Sequence, residues 1–450
     1  MRVLTTTYID NSVQYSESET VFFEDSEHRE LGILNIYPEE RFQDILGFGG
    51  AVTDSAGYVY SRLTEQAKRR FLELCYGPDG LAYTLGRTHL DSCDFSLDMY
   101  CADDDENDDA LERFDMSRCG KYVFPLLDDI MRMQSNLSLA LAPWSPPAYM
   151  KDNASRTAGG RLKPEYRSRW AKYICRYIKE LEARKYRVFA LSTQNEPGAV
   201  QPWDSCLYSA DDEREFICDY LAGEMSAAGL DNIKLTIFDH NKERLFDRVD
   251  GICSDRRANE LVGAAGYHWY SGDHFEALEL VRRKYPDKLL IFTEGCIEYS
   301  RGRRAAQLEN AVRYARELIG GINSGMNAFL DWNILLDSRG GPNHAGNFCD
   351  APVMADLETG ELRCNLSYNY IRHFSRHIVP GAVRLGKTCF DAELGFCALI
   401  NPDGSISAVL LNSTGTAREC FVRIHGRLSR VVSPANSIST MLLSKDEVKA

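Results

Sequence analysis

The sequence predicts an α/β protein, a (β/α)8 TIM barrel with a small β-sandwich beside it. Three observations carry this. Between about residues 43 and 375, eight short apolar runs alternate with longer amphipathic segments, the pattern of parallel βα units. Eight parallel strands close into a barrel. After about residue 380, and again over the first 40, short alternating segments broken by turn residues read as antiparallel β. Neither end holds enough strands for a domain of its own, so residues 1–42 and 376–450 are expected to combine into one sandwich, with 43–375 as the barrel. The 450 residues suit this division, since barrels alone commonly reach roughly 250.

The eight runs are GFGGAV (47–52), AYTLGR (82–87), LSLALA (137–142), VFALST (188–193), KLTIF (234–238), VGAAGYHW (262–269), LLIFT (289–293) and MNAFLDW (326–332). Before the fourth, Tyr166, Trp170, Tyr173, Ile174, Tyr177, Ile178 and Leu181 recur at offsets of three and four, one face of a helix that should pack on the barrel exterior. Before the eighth, NAVRYARELIGGI reads as a helix closed by its Gly-Gly pair. NPDG at 401–404 lies between two apolar runs as a hairpin turn would. The acidic run DDDENDD at 103–109 is expected to be a solvated loop.

Composition narrows the function. A net charge of −14 leaves no general basic surface, which excludes an electrostatic nucleic-acid binder. The first thirty residues hold no continuous apolar stretch and no run of about 18 apolar residues occurs anywhere, so neither a signal peptide nor a membrane-integral segment is read, and a cytoplasmic location is expected. The fourteen cysteines show no metal-binding spacing and are expected to be reduced and mostly buried. Oligomeric state is not readable.

In a barrel of this kind, polar residues just past the strands meet at one mouth. The fourth strand ends in QNEP, placing Asn195 and Glu196 there, and the seventh ends in TEG, placing Glu294 there. A lone glutamate usually just solvates a surface. Two that face each other across a mouth can break a glycosidic bond, one protonating the departing oxygen and the other attacking or stabilising the anomeric carbon. Such closeness should raise the pKa of the proton donor, because its charged neighbour opposes a second negative charge. Trp144, His268, Trp269, Tyr270 and Trp332 follow the third, sixth and eighth strands, and aromatic faces of this kind stack on sugar rings, although core packing would explain any one of them. His240 and Asn241 could reach the same mouth or start the next helix, and His89 is equally ambiguous.

The ordered series GFGGAVTDSA, SCDFS, PWSPP, QNEP, YHWY, TEG, DWN, GGPNHAGNFCDAP and NYIRHFSRHIVPGA resembles glycoside hydrolase family 30, which includes lysosomal glucosylceramidase. The resemblance implies a retaining β-glycosidase, with Glu196 as acid/base, Glu294 as nucleophile, Asn195 on the sugar 2-hydroxyl and Tyr270 bonded to the nucleophile. It also implies that Arg87 steadies the nucleophile and that Asp94, Trp144, Trp332 and Asn347 line the sugar subsite. A glycoside is the implied partner, β-glucose the implied sugar, and no cofactor or metal is implied. Within the family, β-xylosidase and β-1,6-glucanase are the alternatives. The loop after the eighth strand departs from the lysosomal pattern, with His344 where that pattern has an aromatic residue. A barrel that only binds carbohydrate would be expected to have lost one glutamate of the pair. One that binds phosphate would need a helix N-terminus after Gly340 and Gly341.

Overall fold

The computed structural model describes residues 1–300 and 305–449. A closed barrel is made by β1 (Gly47–Ala51), β2 (Leu85–Leu90), β3 (Ser138–Pro143), β4 (Arg187–Ser192), β5 (Lys234–Asn241), β6 (Val262–His268), β7 (Leu289–Glu294) and β8 (Ala328–Asp331), each parallel to its neighbours. Residues that alternate along the strands, among them Leu85, Ala140, Ala190, Ala264, Ile291 and Leu330, pack one against another as a small core, as inward-facing barrel positions do. At β1 the approach is so close that a Cβ on Gly49 would lie 2.0 Å from the Leu85 carbonyl oxygen.

Two strands differ from their predicted spans. β2 starts three residues later than expected, and Ala82 takes a left-handed conformation (φ 50°) outside the extended range of a regular strand. His89 therefore lies within the strand, where Nε2 accepts the Asp54 N–H (3.0 Å) and caps the helix Asp54–Ser61, a structural role. β5 runs on to Asn241 and carries His240 and Asn241 to the rim, and the Asn241 side chain does not cap the 3-10 turn that follows.

The helix Arg167–Ala183 buries Trp170, Tyr173, Ile174, Tyr177, Ile178 and Leu181 against the barrel, the face its periodicity predicts. The helix Gln307–Ser324 corrects the expected stop at Gly-Gly. Both glycines lie inside it, and Gly325 (φ 112°) ends it. Gly320 is there for closeness, since a Cβ would meet the Phe275 ring at 2.2 Å. The acidic run is a loop, but not a freely solvated one. Asp103 is buried, and Arg169 holds the carbonyl oxygens of Asp105, Glu106 and Asp108 at 2.6–2.8 Å.

Ten strands from the two chain ends form the second body. In hydrogen-bonding order they are Ser12–Glu19, Arg2–Ile9, Ser437–Leu443, Ile406–Asn412, Leu394–Ile400, Val383–Cys389, Ile33–Asp44, Arg418–Ile424, Arg427–Ser433 and Phe23–Glu24. Leu34, Ile36, Phe396, Leu410, Val422 and Met441 meet in its core. Val409, Leu411 and Ile438, on the opposite face by alternation, join the apolar cluster of the barrel's outer helices. The NPDG turn joins Leu394–Ile400 to Ile406–Asn412, as predicted, with Gly404 left-handed (φ 87°). A three-stranded sheet, Leu335–Asp337, Val353–Ala355 and Leu362–Cys364, follows β8. The fourteen cysteines are all free thiols, three of them partly exposed and the rest buried. No helix of the described residues is long and apolar enough to cross a membrane.

Candidate active site

The C-terminal rim of the barrel gathers the predicted residues. Asp94, Trp144, Asn195, Glu196, Tyr270, Glu294, Trp332 and Asn347 line one pocket. Arg87 lies beneath it, inside β2 and only 1% exposed. Its guanidinium donates to Glu294 Oε2 (2.6 Å), Asn195 Oδ1 (2.8 Å) and Asp239 Oδ2 (2.9 Å), and so ties β2, β4, β5 and β7 together. Tyr270 donates to Glu294 Oε1 at 2.9 Å. Both oxygens of Glu294 are thus held by donors.

Glu196 emerges just past β4 in a left-handed conformation (φ 47°), and its N–H is held by the Asp239 carbonyl (2.9 Å). A non-glycine residue there carries strain of about 1–3 kcal/mol, which surrounding structure must hold in place. Asp91, Phe238, Asp239 and Asn333, also near strand ends, share the positive φ. The Glu196 carboxylate meets His268 Nδ1 at 3.1 Å and Gln201 Nε2 at 3.4 Å. His268 Nε2 meets Asp239 Oδ1 at 3.1 Å, so the ring stands between two carboxylates with Glu294 at 4.0 Å.

This histidine corrects the expected order of charges. Burial alone would discharge it, yet Glu294, Asp239 and Glu196 around it lift its pKa to about 9. Burial likewise pushes Glu196 up, but the His268 hydrogen bond and the His240 and His268 charges outweigh it and hold the carboxyl down to about 2. Glu294 is raised by burial, against the pull of His268 and Arg87. The environment thus favours the imidazolium of His268 and the carboxylate of Glu196, which stand at hydrogen-bond distance from each other.

Trp144 and Trp332, both 2% exposed or less, stack on each other (centroids 5.3 Å, 22°), and the Arg87 guanidinium lies over both. Asp94 and Asn347 line the same pocket. Asn347 Nδ2 reaches Asp94 Oδ2 at 3.3 Å, while Asp94 Oδ1 and His240 Nε2 are buried without a partner among the described residues. Burial, with Glu294 near it, raises the Asp94 carboxyl well above its ordinary range. Orphaned polar atoms around a cavity mark where ligand groups bond. Trp269 is not part of the pocket. Its ring packs on Tyr314 and Phe292, and Nε1 bonds the Cys296 carbonyl (3.3 Å), so it is a core residue.

The pocket also contains Gln201, Trp203, His240, Asn241 and Glu298. Sequence reasoning left His240 and Asn241 open and missed the other three, along with the supporting Asp239, because they come from loops or from a strand end longer than expected. Glu196, His268 and Glu294 present donor atoms within 4.8 Å of one another and could converge on a cation. The positive charge at that point is already supplied by the Arg87 guanidinium and by His268.

His344 joins three of the loops around the pocket. Its Nδ1 and backbone N–H both meet the Ser96 carbonyl (2.9 Å), and Nε2 lies 3.4 Å from Asp204 Oδ2. Asp204 is fixed in turn by Arg156 and Ser92 at 2.8 Å each. Where an aromatic residue would only fill space, this imidazole links the Asn347 loop to the loops carrying Asp94 and Gln201.

Comparison with known proteins agrees with this fold. The glycosyl hydrolase family 30 TIM-barrel domain matches residues 45–378, and the family's beta sandwich domain matches 381–441. Putative glucosylceramidase 4 of Caenorhabditis elegans is 30% identical over 390 residues, 83% of this chain and 75% of that one. The solved structure of SrfJ from Salmonella typhimurium has a TM-score of 0.94 at 34% identity, covering 99% of this chain and 100% of that one. The endo-beta1,6-glucanase BT3312 has a TM-score of 0.87 at 27% identity and covers 99% of both chains.

Proposed function

We propose, from the premise that the chain belongs to glycosyl hydrolase family 30 and is a glycosidase, that it is a retaining enzyme releasing a terminal β-glucose by double displacement. The observation that carries the mechanism is the placing of Glu196 and Glu294 carboxylate oxygens within 4.8 Å. Retaining enzymes set the two carboxyl groups about 5–5.5 Å apart, close enough for one to attack directly, whereas inverting enzymes leave room for a water at roughly 6.5–9.5 Å.

Glu294, its oxygens held by Arg87 and Tyr270, attacks the anomeric carbon. The glycosidic C–O bond breaks as its oxygen takes a proton from Glu196, and the Glu196–His268 pair holds that proton beforehand. In the second half Glu196 takes a proton from water, the hydroxide oxygen bonds to the anomeric carbon, and Glu294 leaves as carboxylate. Arg87 and Tyr270 keep that carboxylate paired throughout. On this reading Asn195, whose Oδ1 accepts from Arg87, bonds the sugar 2-hydroxyl.

Binding of a terminal sugar is supported by the stacked Trp144 and Trp332 and by Asp94 Oδ1, which is left to bond a sugar hydroxyl. A second reading is endo-cleavage of a β-1,6-glucan, favoured by the end-to-end match with BT3312. Glucosylceramide is the third substrate to test, on the likeness to a nematode chain named for it. Hydrolysis of aryl β-glucoside, β-xyloside, β-fucoside and β-galactoside, beside a β-1,6-glucan and glucosylceramide in detergent, separates these readings. Turnover of the aryl β-glucoside with glucose as product is expected. Oligosaccharides from the glucan without turnover of the small glucoside would favour the endo reading. Silence of folded protein across the panel would overturn both.

A further inference from the structure

A crevice of about 310 Å3, sharing no residue with the barrel mouth, opens between the N-terminal hairpin (Arg2–Ile9 and Ser12–Glu19) and the helix Leu366–Ser375. Leu4, Thr6 and Tyr15 face it from the hairpin, and Arg372, Arg376 and His377 from the helix and the turn after it. In a chain of net charge −14 this is a concentration of cations. Arg2 pairs with Glu17, and Arg376 with Asp79. Arg372 has no such pair among the described residues.

Arg372 differs from the other arginines in this respect. Among the described residues, seven arginines have a guanidinium nitrogen shut from solvent without a partner: Arg156, Arg169, Arg248, Arg282, Arg372, Arg418 and Arg427. Six of them bond protein through another nitrogen of the same group. Among the described residues, Arg372 makes no side-chain hydrogen bond and has no carboxylate in ion-pair reach. Its charge is felt nearby. Burial first, then His377 and Arg372, press His373 down to about 3, and burial with Arg376, Arg372 and Arg2 presses His377 down to about 4. A half-buried cation with an orphaned N–H is costly, and such a group calls for a partner that protein does not supply.

We propose that this crevice binds a sugar-sized acid whose carboxylate or phosphate group is gripped by the Arg372 fork. A guanidinium presents parallel donors matched to either oxyanion. The volume is at the lower end of ordinary ligand sites. Ser16 and the Asn369 amide nitrogen offer polar contacts for hydroxyls, while Thr6 Oγ1 is taken by His373 (2.8 Å), and Leu4 with the Tyr15 ring offers an apolar face. Glu17 also lines the crevice, but its charge is engaged by Arg2, which leaves Arg372 as the uncompensated one.

Calorimetric titration of the full chain at low salt and pH 7 with glucuronate, glucose 6-phosphate, inorganic phosphate and glucose tests the proposal. At least one acid should bind, and Arg372→Gln should weaken it at least tenfold while leaving glycoside turnover and melting temperature unchanged. Binding by glucuronate alone identifies the carboxylate, and binding by either phosphate alone identifies the phosphate. Arg372→Lys, which keeps the charge and loses the fork, should fall in between. In wild-type protein the bound acid should also raise the titration of His377, followed by NMR, since an anion offsets the three arginines around it. Three results would overturn the proposal: no acid binding tighter than about 10 mM, binding that Arg372→Gln leaves unchanged, or an unmoved His377.

Discussion

His268 decides how the two glutamates share charge. With its pKa lifted to about 9, it stays protonated below that pH and loses its proton as pH rises through it. Glu294, raised above its ordinary value, loses its charge as pH falls through the raised value. Turnover should therefore have an acid limb above the ordinary carboxylate range and an alkaline limb near pH 9. In His268→Gln the alkaline limb should move down by at least about one unit, because the proton must then rest on Glu196 alone. An unmoved limb in kcat/KM profiles would show that His268 has no part in proton delivery. Glu294→Gln should lower kcat by roughly a thousandfold or more. Glu196→Ala should lose most activity on poor leaving groups and recover with azide, giving the β-glycosyl azide. The α product would contradict retention. Glu196 and Glu294 were readable because each comes within three residues of the end of a strand-like run. The charge order was not, because it depends on a ring brought in from β6 and on Asp239 from β5.

At the scale of elements, the loops around the mouth act through their ties. His344→Phe removes the link between the Asn347 and Asp204 loops, and KM for an aryl glycoside should rise about five- to tenfold with kcat changed less, an effect of about 1 kcal/mol. His344→Gln, which keeps a donor, should restore part of it. Equal losses in kcat and kcat/KM would instead place His344 in the transition state. Gly320→Ala would press a methyl group into the Phe275 ring and should destabilise by about 1–3 kcal/mol, seen as a lower melting temperature. The helix face at 166–181 could be read from its periodicity, since that signal is local. The end of the second long helix could not. A glycine pair reads the same whether it stops a helix or admits a neighbouring ring.

Across the whole molecule, the two ends of the chain complete one body that the barrel also leans on. Val409, Leu411 and Ile438 share a continuous apolar cluster with barrel helices. A fragment of residues 45–378 exposes that surface and should aggregate or melt well below the full chain in differential scanning calorimetry. Leu410→Ala, at a fully buried position inside the sandwich, should cost about 2–5 kcal/mol. If the fragment stayed soluble with an unchanged melting temperature, the sandwich would be independent of the barrel's stability.

The sequence by itself determined the eight-strand alternation, the antiparallel character of both ends and the two glutamates past the fourth and seventh strands. Periodicity and strand-end position are properties of consecutive residues, so they can be read along the chain. Only the tertiary structure decided that Arg87 clasps three strands, that His268 stands between carboxylates, and that Trp269 is core while Trp203 lines the pocket. Each of these depends on groups tens to hundreds of residues apart meeting within about 3–6 Å, where burial and neighbouring charge, not residue type, set what a side chain does.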